Sequence, residues 1–326
     1  MLNTNIFKNQ SQVNDADCAA LANWVYRLNS LLKEIQEDLD DGPDEEGFDR
    51  THYDQGLQDN LHRLLMGCPV ADPFSLDACS RAINPYLSAF ISSLEQEVVD
   101  QNVDHYQQLE PRALLHKVRG NLESCDFDNG LASLRRNENF TSRSLLQYVL
   151  DLKAAYSKLM IIRLDLYTSS YLESVGHWEQ LKKYVAERYA GAYVGFAVKF
   201  EYGQQRGVHM HTMLFFNGSV VRQDVTIAKV IGEHWKGTVT AGKGSYSNCN
   251  APEHLKRMYY PAVGTFHQFD NRTLKGLCHI TRYLTEQDLA VRFAVPGLSR
   301  TFRKGIITQE KCYRIEKRAK RLARDR

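Results

Sequence analysis

AYVGFAVKFEYGQQRGVHMHTMLFFNG, the stretch from Ala192 to Gly218, decides the fold of this chain. Its two halves, Ala192–Tyr202 and Val208–Phe216, are rich in β-branched and aromatic residues and predict two strands. Between them, Gly203-Gln-Gln-Arg-Gly207 has glycine at both ends of a short polar linker, which is typical of a hairpin. We therefore predict a pair of antiparallel strands at the centre of the domain.

The segments on either side of this hairpin extend it into a sheet. Upstream, Met160–Tyr167 alternates large apolar residues with Arg163 and Asp165, which predicts a further strand. Residues 174–190 and 224–236 have the apolar spacing of amphipathic helices. The resulting β-α-β-β-α order predicts an α+β fold with a ferredoxin-like or RRM-like antiparallel sheet and helices on one face.

The first 150 residues are predicted to be mainly helical, because apolar residues recur there at steps of three and four. The clearest run is Leu21, Trp24, Val25, Leu28, Leu31, Leu32 and Ile35. We expect this helical region over residues 1–150, the sheet domain over residues 151–306 and a basic helical tail over residues 307–326.

The net charge of the chain also changes sign near residue 150. The formal net charge of the whole chain is +2, but residues 1–150 hold 12 Lys and Arg against 24 Asp and Glu, a net of −12. Residues 151–326 carry the balance, a net of +14. This asymmetry indicates an acidic module joined to one that meets a polyanion.

Several classes of protein are excluded by the sequence. It has no run of 18 apolar residues, so we expect no contact with a membrane. Met1–Gln12 is polar and unlike a signal peptide, and the seven cysteines are scattered without a C-x-x-C pair. We therefore expect a cytoplasmic protein with reduced thiols.

The most specific chemical feature is a His-x-His pair within the third predicted strand. His209 and His211 project from the same strand face and can bind one ion. Glu201, across the hairpin, is placed to add an oxygen ligand, with His234 and His254 as alternatives for this third position. Such a set is compatible with Mg²⁺ or Mn²⁺, and zinc would lack a cysteine pair. The alternative is a pair of structural histidines.

A nucleophile candidate lies further along the chain. The segment from Leu274 to Phe293 is predicted to be a helix, and Tyr283 stands among polar residues on it. A tyrosine hydroxyl, with a pKa of about 10, needs a nearby cation or metal to act as a nucleophile. Position alone does not distinguish Tyr283 from the other sixteen of the seventeen tyrosines.

These pieces, in this order, resemble the HUH endonucleases, which nick single-stranded DNA. The chain is most similar to the inovirus-type replication initiation proteins and the YagK/YfjJ-like proteins, over about residues 155–306. The matching elements are the strand with Arg163 and Asp165, Tyr202-Gly203, Gly207-Val-His-Met-His211, Gly242-Lys-Gly-Ser-Tyr-Ser-Asn-Cys-Asn250, Tyr283-Leu-Thr with Asp288, and Arg300-Thr-Phe-Arg-Lys-Gly305.

The resemblance implies a function for residues 151–306. His209 and His211, with an acidic residue, would hold Mg²⁺ or Mn²⁺ against a DNA phosphate. Tyr283 would attack it, leaving a 5′-phosphotyrosine and a free 3′-hydroxyl that primes rolling-circle replication of a phage, prophage or plasmid-like element. The implied partners are single-stranded DNA at a replication origin and a host helicase or polymerase, in the cytoplasm of a bacterial host.

One residue departs from the family pattern. The family tyrosine usually begins a Tyr-x-x-Lys motif, but Glu286 stands where the lysine would be. Arg282 or Lys275 would compensate if the helix is suitably oriented. Otherwise the alternatives are a catalytically impaired DNA-binding prophage protein of the same fold, or a metal-dependent phosphoesterase that uses the two histidines on a small substrate.

Basic residues of the second half are expected to contact DNA phosphates. Of the five basic residues that we name, one lies in the glycine-rich segment from Gly242 to Asn250, one precedes Tyr283, and three precede the basic tail. They are Lys243, Arg282, Arg300, Arg303 and Lys304.

Overall fold

A computed structural model describes residues 14–41, 50–69, 84–271, 273–296, 298 and 300–324. The N-terminal segment Met1–Gln12 lies outside the described residues. The chain divides into two compact units, residues 1–137 with 292–299 and residues 138–291 with 300–326. None of the described helices is both long enough and apolar enough to cross a membrane.

The first unit is mainly helical, which confirms the prediction for this region. Its helices are α1 Asp15–Asp41, α2 Arg50–Met66, α3 Pro85–Gln101, α4 Pro111–Leu122 and the first part of α5 Cys125–Ala155. Arg119 on α4 joins three of them, because its guanidinium lies 2.8 Å from a carboxylate oxygen of Asp38 and 2.7 Å from one of Asp54. These pairs tie α1, α2 and α4 together at the edge of an apolar core.

The second unit contains a six-stranded antiparallel sheet. Its strands are β1 Lys158–Tyr167, β2 Tyr193–Gly203, β3 Gly207–Asn217, β4 Ser245–Asn248, β5 Gly264–His267 and β6 Phe302–Lys304. Its helices after α5 are α6 Ser174–Arg188, α7 Asp224–His234, α8 Pro252–Leu255, α9 Leu274–Thr285, α10 Leu289–Ala294 and α11 Gln309–Arg324, of which α10 runs into the first unit.

The strand order is β4-β1-β3-β2-β6, and β5 also pairs with β1. The α+β class, the antiparallel sheet and the β-α-β-β-α succession of elements are therefore as predicted. Gly203 pairs with Gly207 at the end of the β2–β3 hairpin, and Gly207 has φ +63°, a conformation that favours glycine.

Helices cover both faces of the sheet, whereas the sequence predicted them on one. On one face, α5 and α9 contribute to the core that contains Met213 and Phe215 of β3. On the opposite face, Trp178 of α6 packs against Phe196 of β2, with ring centroids 5.5 Å apart. The reason is that β3 is apolar on both sides and buried along nearly its whole length, so both faces need a cover.

The boundary expected near residue 150 falls within α5. The C-terminal half of this helix, with Tyr148 and Leu152, belongs to the core under the sheet, so the second unit begins at residue 138. The basic tail over residues 307–326 forms α11, and its Ile315 packs against the same core. Residues 325–326 lie outside the described residues.

Tyr148 of α5 packs so close to Gly195 of β2 that a larger residue at position 195 should destabilise the protein. A Cβ at Gly195 of β2 would lie 2.0 Å from the Tyr148 Oη atom, so Gly195→Ala forces the ring or the strand to move. We expect the free energy of unfolding to fall by about 1–3 kcal/mol, measured by urea denaturation.

Gly176→Ala on α6 is the matched control, because a Cβ there meets no atom within 4 Å. We expect that substitution to leave the stability unchanged or to raise it by up to about 1 kcal/mol, since alanine favours helix. Equal denaturation midpoints for the two variants would show that Tyr148 does not pack tightly on β2.

Candidate metal centre and nucleophile

Two neighbouring rows of residues on one sheet face form the candidate site. Each row crosses β1, β3 and β2, and strand alternation places both rows on the same side of the sheet. The first row is Asp165, His211 and Lys199, and the second is Tyr167, His209 and Glu201.

The site is the polar end of a face that is otherwise apolar. Further along β3, Met213 and Phe215 project from the same face into the core formed with α9. Both histidines are 4% exposed, so they lie in a buried position and not on an open surface. Because α9 packs on the apolar end, it can bring a side chain to the polar end.

Glu201, His209 and His211 form a group that can hold a metal ion. One ligand atom from each lies within 4.8 Å of the other two. Among the described residues, this group of acidic, histidine or cysteine side chains has the geometry of a metal site. Two imidazole nitrogens and a carboxylate oxygen are a donor set that divalent metals accept, so the residues fit a bound ion.

Hydrogen bonds to the Nδ1 atoms make the Nε2 atom of each histidine the candidate metal ligand, and in the structure His211 Nε2 contacts Tyr283 Oη and Glu201 Oε2. His209 Nδ1 lies 3.1 Å from the carbonyl oxygen of Gly207, and His211 Nδ1 lies 2.7 Å from Asp165 Oδ1. A carbonyl or carboxylate partner favours a proton on Nδ1, which fixes the tautomer and orients the ring. His209 is further held by Tyr167, whose ring stacks on it at a centroid distance of 5.7 Å.

Asp165 acts as the buried partner of His211. Burial alone would raise the pKa of Asp165, but its hydrogen bond with His211 and the charge of Arg163 outweigh burial and lower the pKa to about 2. Arg163 Nε lies 3.3 Å from the same Oδ1 atom. The carboxylate is therefore ionised at neutral pH and favours a proton on His211.

The two histidines respond differently to their surroundings. Burial lowers the pKa of His209. Burial would also lower the pKa of His211, but the hydrogen bonds with Asp165 and Glu201 outweigh it and raise this pKa above the ordinary value of 6.5. His209 is therefore neutral near pH 7, whereas a proton competes with any ion at His211.

Tyr283 of α9 lies directly beside the metal-binding group. Its Oη atom is 2.6 Å from His211 Nε2 and 2.9 Å from Glu201 Oε2. Burial, followed by the charge of Glu201, raises the pKa of the Tyr283 hydroxyl well above its usual range. The hydroxyl is therefore neutral and donates its proton to Glu201 Oε2, with His211 Nε2 as its second neighbour.

Lys199 supplies a cation to the same cluster. Its Nζ atom lies 3.2 Å from Glu201 Oε2, and 4.5 Å from the centroid of the Tyr283 ring. Burial alone would raise the pKa of Glu201, but the hydrogen bond with His211 and the charge of Lys199 outweigh it and lower this pKa to about 2. Glu201 is therefore ionised and ready to bind a cation.

Asp288 links the end of α9 to β2. Its Oδ2 atom accepts a hydrogen bond from Tyr202 N at 2.8 Å, and its Oδ1 atom accepts one from Val291 N at 3.0 Å. Because this second bond caps a new helix, the predicted helix from Leu274 to Phe293 is wrong as a single element and forms α9 and α10 instead. Burial raises the pKa of Asp288 to about 6.

The alternative ligands and cations named from the sequence lie in other environments. His234 stacks on Tyr184 at a centroid distance of 3.5 Å, and His254 lies on α8; neither belongs to the metal-binding group. Lys275 Nζ lies 5.6 Å from the centroid of the Tyr260 ring. Arg282 and Glu286 are both exposed.

The residues expected to contact DNA separate into exposed and packed side chains. Lys243, Arg282 and Arg300 are exposed. Arg303 NH1 lies 3.7 Å from a carboxylate oxygen of Glu179 on α6, on the sheet face opposite the candidate site. Lys304 Nζ lies 4.9 Å from the centroid of the Tyr148 ring. Arg303 and Lys304 are therefore engaged by other side chains of the sheet domain, and the three exposed cations stay predicted DNA contacts.

Lys199 and Tyr167 are site residues that the sequence reasoning missed, and Asp165 was noted without a role. The signal for Lys199 was present, because it precedes Glu201 by two residues and must share its strand face. Asp165 and Tyr167 are related in the same way on β1. Their pairing with His211 and His209 depends on the register between β1 and β3, which spacing does not define.

Comparisons with family models, with curated proteins and with solved structures find no match to this chain.

Removal of either histidine should abolish tight metal binding. We expect His209→Ala and His211→Ala each to weaken Mn²⁺ binding by at least about 100-fold, since loss of a residue that merely supports a ligand costs 10–100-fold. Calorimetric titration measures this. His267→Ala is the control, because His267 lies on β5 and is exposed. A parallel loss in all three variants would contradict the proposed ligands.

Metal binding should depend on pH through His211. Because the pKa of His211 is raised above 6.5, a proton occupies the site as pH falls, and Mn²⁺ affinity should begin to fall above pH 6.5. The fall should steepen to about tenfold per pH unit. Asp165→Asn removes the charge that raises this pKa, so the fall should begin at lower pH. Mn²⁺ titrations across a pH series test this, and an unchanged onset would contradict it.

Proposed function

We propose that this protein is a metal-dependent DNA nickase of the HUH type, which cuts single-stranded DNA through a covalent tyrosine intermediate. The observation that carries the proposal is the position of Tyr283 Oη, 2.6 Å from His211 Nε2 and 2.9 Å from Glu201 Oε2. A nucleophile, two imidazoles and a carboxylate are the groups that such a reaction needs in one place.

The sheet topology supports the same proposal. The succession β1-α6-β2-β3-α7-β4 is that of a ferredoxin-like or RRM-like fold, and the His-x-His pair lies on β3, inside the sheet. In the HUH nickases this pair holds the metal. The match of succession and motif makes the HUH assignment more specific than the three-residue motif alone.

Mg²⁺ or Mn²⁺ is the cofactor that we propose for the site. Glu201, His209 and His211 would hold it, leaving positions for phosphate and water oxygens, which both ions favour. When bound, the ion supplies positive charge that polarises the phosphate and orients it for in-line attack.

Tyr283 would carry the covalent step. As its Oη atom bonds to phosphorus, the hydroxyl proton is released to solvent water, and Glu201, whose Oε2 atom lies 2.9 Å away, stays ionised. The bond from phosphorus to the 3′ oxygen breaks, and this oxygen takes a proton from water to become a free 3′-hydroxyl. The 5′-phosphotyrosine keeps the energy of the broken bond, so that a later attack by a hydroxyl can rejoin the strand.

The charge distribution supports DNA as the substrate. Residues 151–326 carry a net charge of +14, and α11 presents basic side chains over its whole length. Such residues bind phosphates without regard to sequence, and their contribution falls with salt. We propose that the substrate is a replication origin of a phage, prophage or plasmid-like element. A host helicase or polymerase stays a predicted partner.

Formation of the covalent adduct tests the proposal. The protein is incubated with Mn²⁺ and a pool of single-stranded oligonucleotides of random sequence, and the adduct is detected by denaturing electrophoresis. We expect an adduct with the wild-type protein and none with Tyr283→Phe, because phenylalanine lacks the attacking oxygen. Tyr184→Phe is the control and should retain the adduct, since Tyr184 lies on α6 and stacks on His234.

Other outcomes separate the alternatives. An adduct that survives in Tyr283→Phe would assign the nucleophile to another residue. Hydrolysis of a phosphodiester without any adduct would indicate a phosphoesterase. Salt-dependent binding of the oligonucleotides without either reaction would indicate a DNA-binding protein that has lost the chemistry.

A further inference from the structure

A buried lysine with no assigned role lies within the candidate site. Lys199 is 3% exposed and pairs across the strands with His211. A lysine ammonium is buried only at a considerable cost unless charged or polar partners compensate it. The groups that contact the Lys199 ammonium therefore indicate the role of this residue.

The first partner of Lys199 is Glu201. The ammonium nitrogen lies 3.2 Å from Glu201 Oε2, the same oxygen that accepts the Tyr283 hydroxyl. The lysine thus neutralises a carboxylate that lies against the nucleophile. Without that charge, the negative charge that develops on the tyrosine oxygen would face an uncompensated anion.

The second partner is the backbone of the nucleophile itself. Lys199 Nζ donates a hydrogen bond to the carbonyl oxygen of Tyr283 at 3.1 Å. This carbonyl belongs to the last turn of α9, where backbone acceptors lack partners within the helix and the helix dipole favours a cation. The lysine therefore fixes the end of α9, and with it Tyr283, to β2.

The exposed residues of α9 do not provide such a cation. Glu286 follows the last residue of α9, is exposed and carries a negative charge. Arg282 is also exposed, and its side chain leaves the helix on the solvent side. Arg163, 5.8 Å from the centroid of the Tyr283 ring, is already paired with Asp165. The ammonium of Lys199, by contrast, contacts both Glu201 and the backbone of Tyr283.

We propose that Lys199 is the positioning residue for the covalent step, holding Tyr283 against Glu201 and supplying from β2 the positive charge that position 286 lacks. This inference rests on the proposed function, because it concerns the same nucleophile. Under this proposal Glu286 takes no part in the reaction, so its negative charge does not make the protein inactive.

The test compares a neutral donor with a charged one at position 199. Lys199→Gln keeps a hydrogen-bond donor but removes the charge, and Lys199→Arg keeps the charge. At saturating Mn²⁺ and oligonucleotide, we expect the rate of adduct formation to fall about tenfold or more in Lys199→Gln and to stay within about threefold of wild type in Lys199→Arg.

Mn²⁺ affinity, measured by electron paramagnetic resonance without DNA, gives a second result that a loss of structure cannot imitate. Removal of a positive charge beside Glu201 should tighten Mn²⁺ binding by about threefold in Lys199→Gln, whereas unfolding would weaken it. Lys182→Gln is the matched control. Lys182 also lies over an aromatic ring, Phe196, and pairs with a carboxylate, but does so on the opposite sheet face.

Three results of the adduct assay would overturn the proposal. The first is a Lys199→Gln variant with the wild-type rate. The second is a Lys199→Arg variant that loses as much rate as Lys199→Gln. The third is Glu286→Lys raising the rate by about 100-fold, since this would place the missing charge on α9. If Lys199→Gln does not fold, a loss of about tenfold or more in the rate of Lys199→Arg, or the rise in Glu286→Lys, still overturns the proposal.

Failure of the proposed function gives a different pattern. If the wild-type protein forms no adduct, the nickase assignment fails, but tightened Mn²⁺ binding in Lys199→Gln still supports the action of Lys199 on Glu201. In a folded Lys199→Gln variant, Mn²⁺ binding that is unchanged or weaker overturns the role of Lys199, whether or not the wild-type protein forms an adduct.

Discussion

Buried polar groups on the face of β1, β3 and β2 must find partners within that face, and the site depends on this constraint. His211 is central, since its ring joins Asp165 on β1, Glu201 on β2 and Tyr283 on α9. Lys199 closes the cluster between Glu201 and the backbone of Tyr283. These groups are hydrogen-bond and charge partners of one another. Removal of a charged member therefore leaves a buried charge without its partner and disturbs contacts on all three strands and α9.

Apolar packing sets the distances that this polar cluster requires. Leu277, Ile280 and Leu284 of α9 lie in the same core as Phe215 of β3, which holds the helix against the sheet. Tyr283 is carried by a helix that is anchored at its core side and, through Lys199, at its C-terminal end. A nucleophile on such a support is better positioned than one on a loop, because the rotamer and the backbone are both fixed. The capped turn at Asp288 ends α9 beside β2 and keeps α10 from continuing it.

Charge acts at two different ranges in this protein. The net charge of +14 on residues 151–326 is spread over α11 and exposed side chains such as Lys243 and Arg300, and it would act on a nucleic acid over several ångströms of solvent. Within the site, the opposite charges of Lys199 and Glu201 and of Arg163 and Asp165 are buried and paired. Under the proposed function, the first kind of charge would gather a polyanion, and the second would adjust the groups that react with it. Arg303 and Lys304 belong to neither class, because Glu179 and the Tyr148 ring engage them.

The hairpin, the α+β class and the pair His209 and His211 follow from the sequence alone, because they depend on strand alternation and a short turn between neighbouring residues, and the same hairpin favoured Glu201 over His234 and His254 as the third member. The sequence also pointed to Tyr283, although only through resemblance to a family. What the tertiary structure decided is the rest of the site. The β1–β3 register brings Asp165 to His211, and the packing of α9 brings Tyr283 to Glu201 across 82 residues of chain. Tertiary packing also determined that helices cover both faces of the sheet and that the boundary between the two units falls within α5. Long-range register and packing depend on the fit of whole surfaces, which local spacing does not encode.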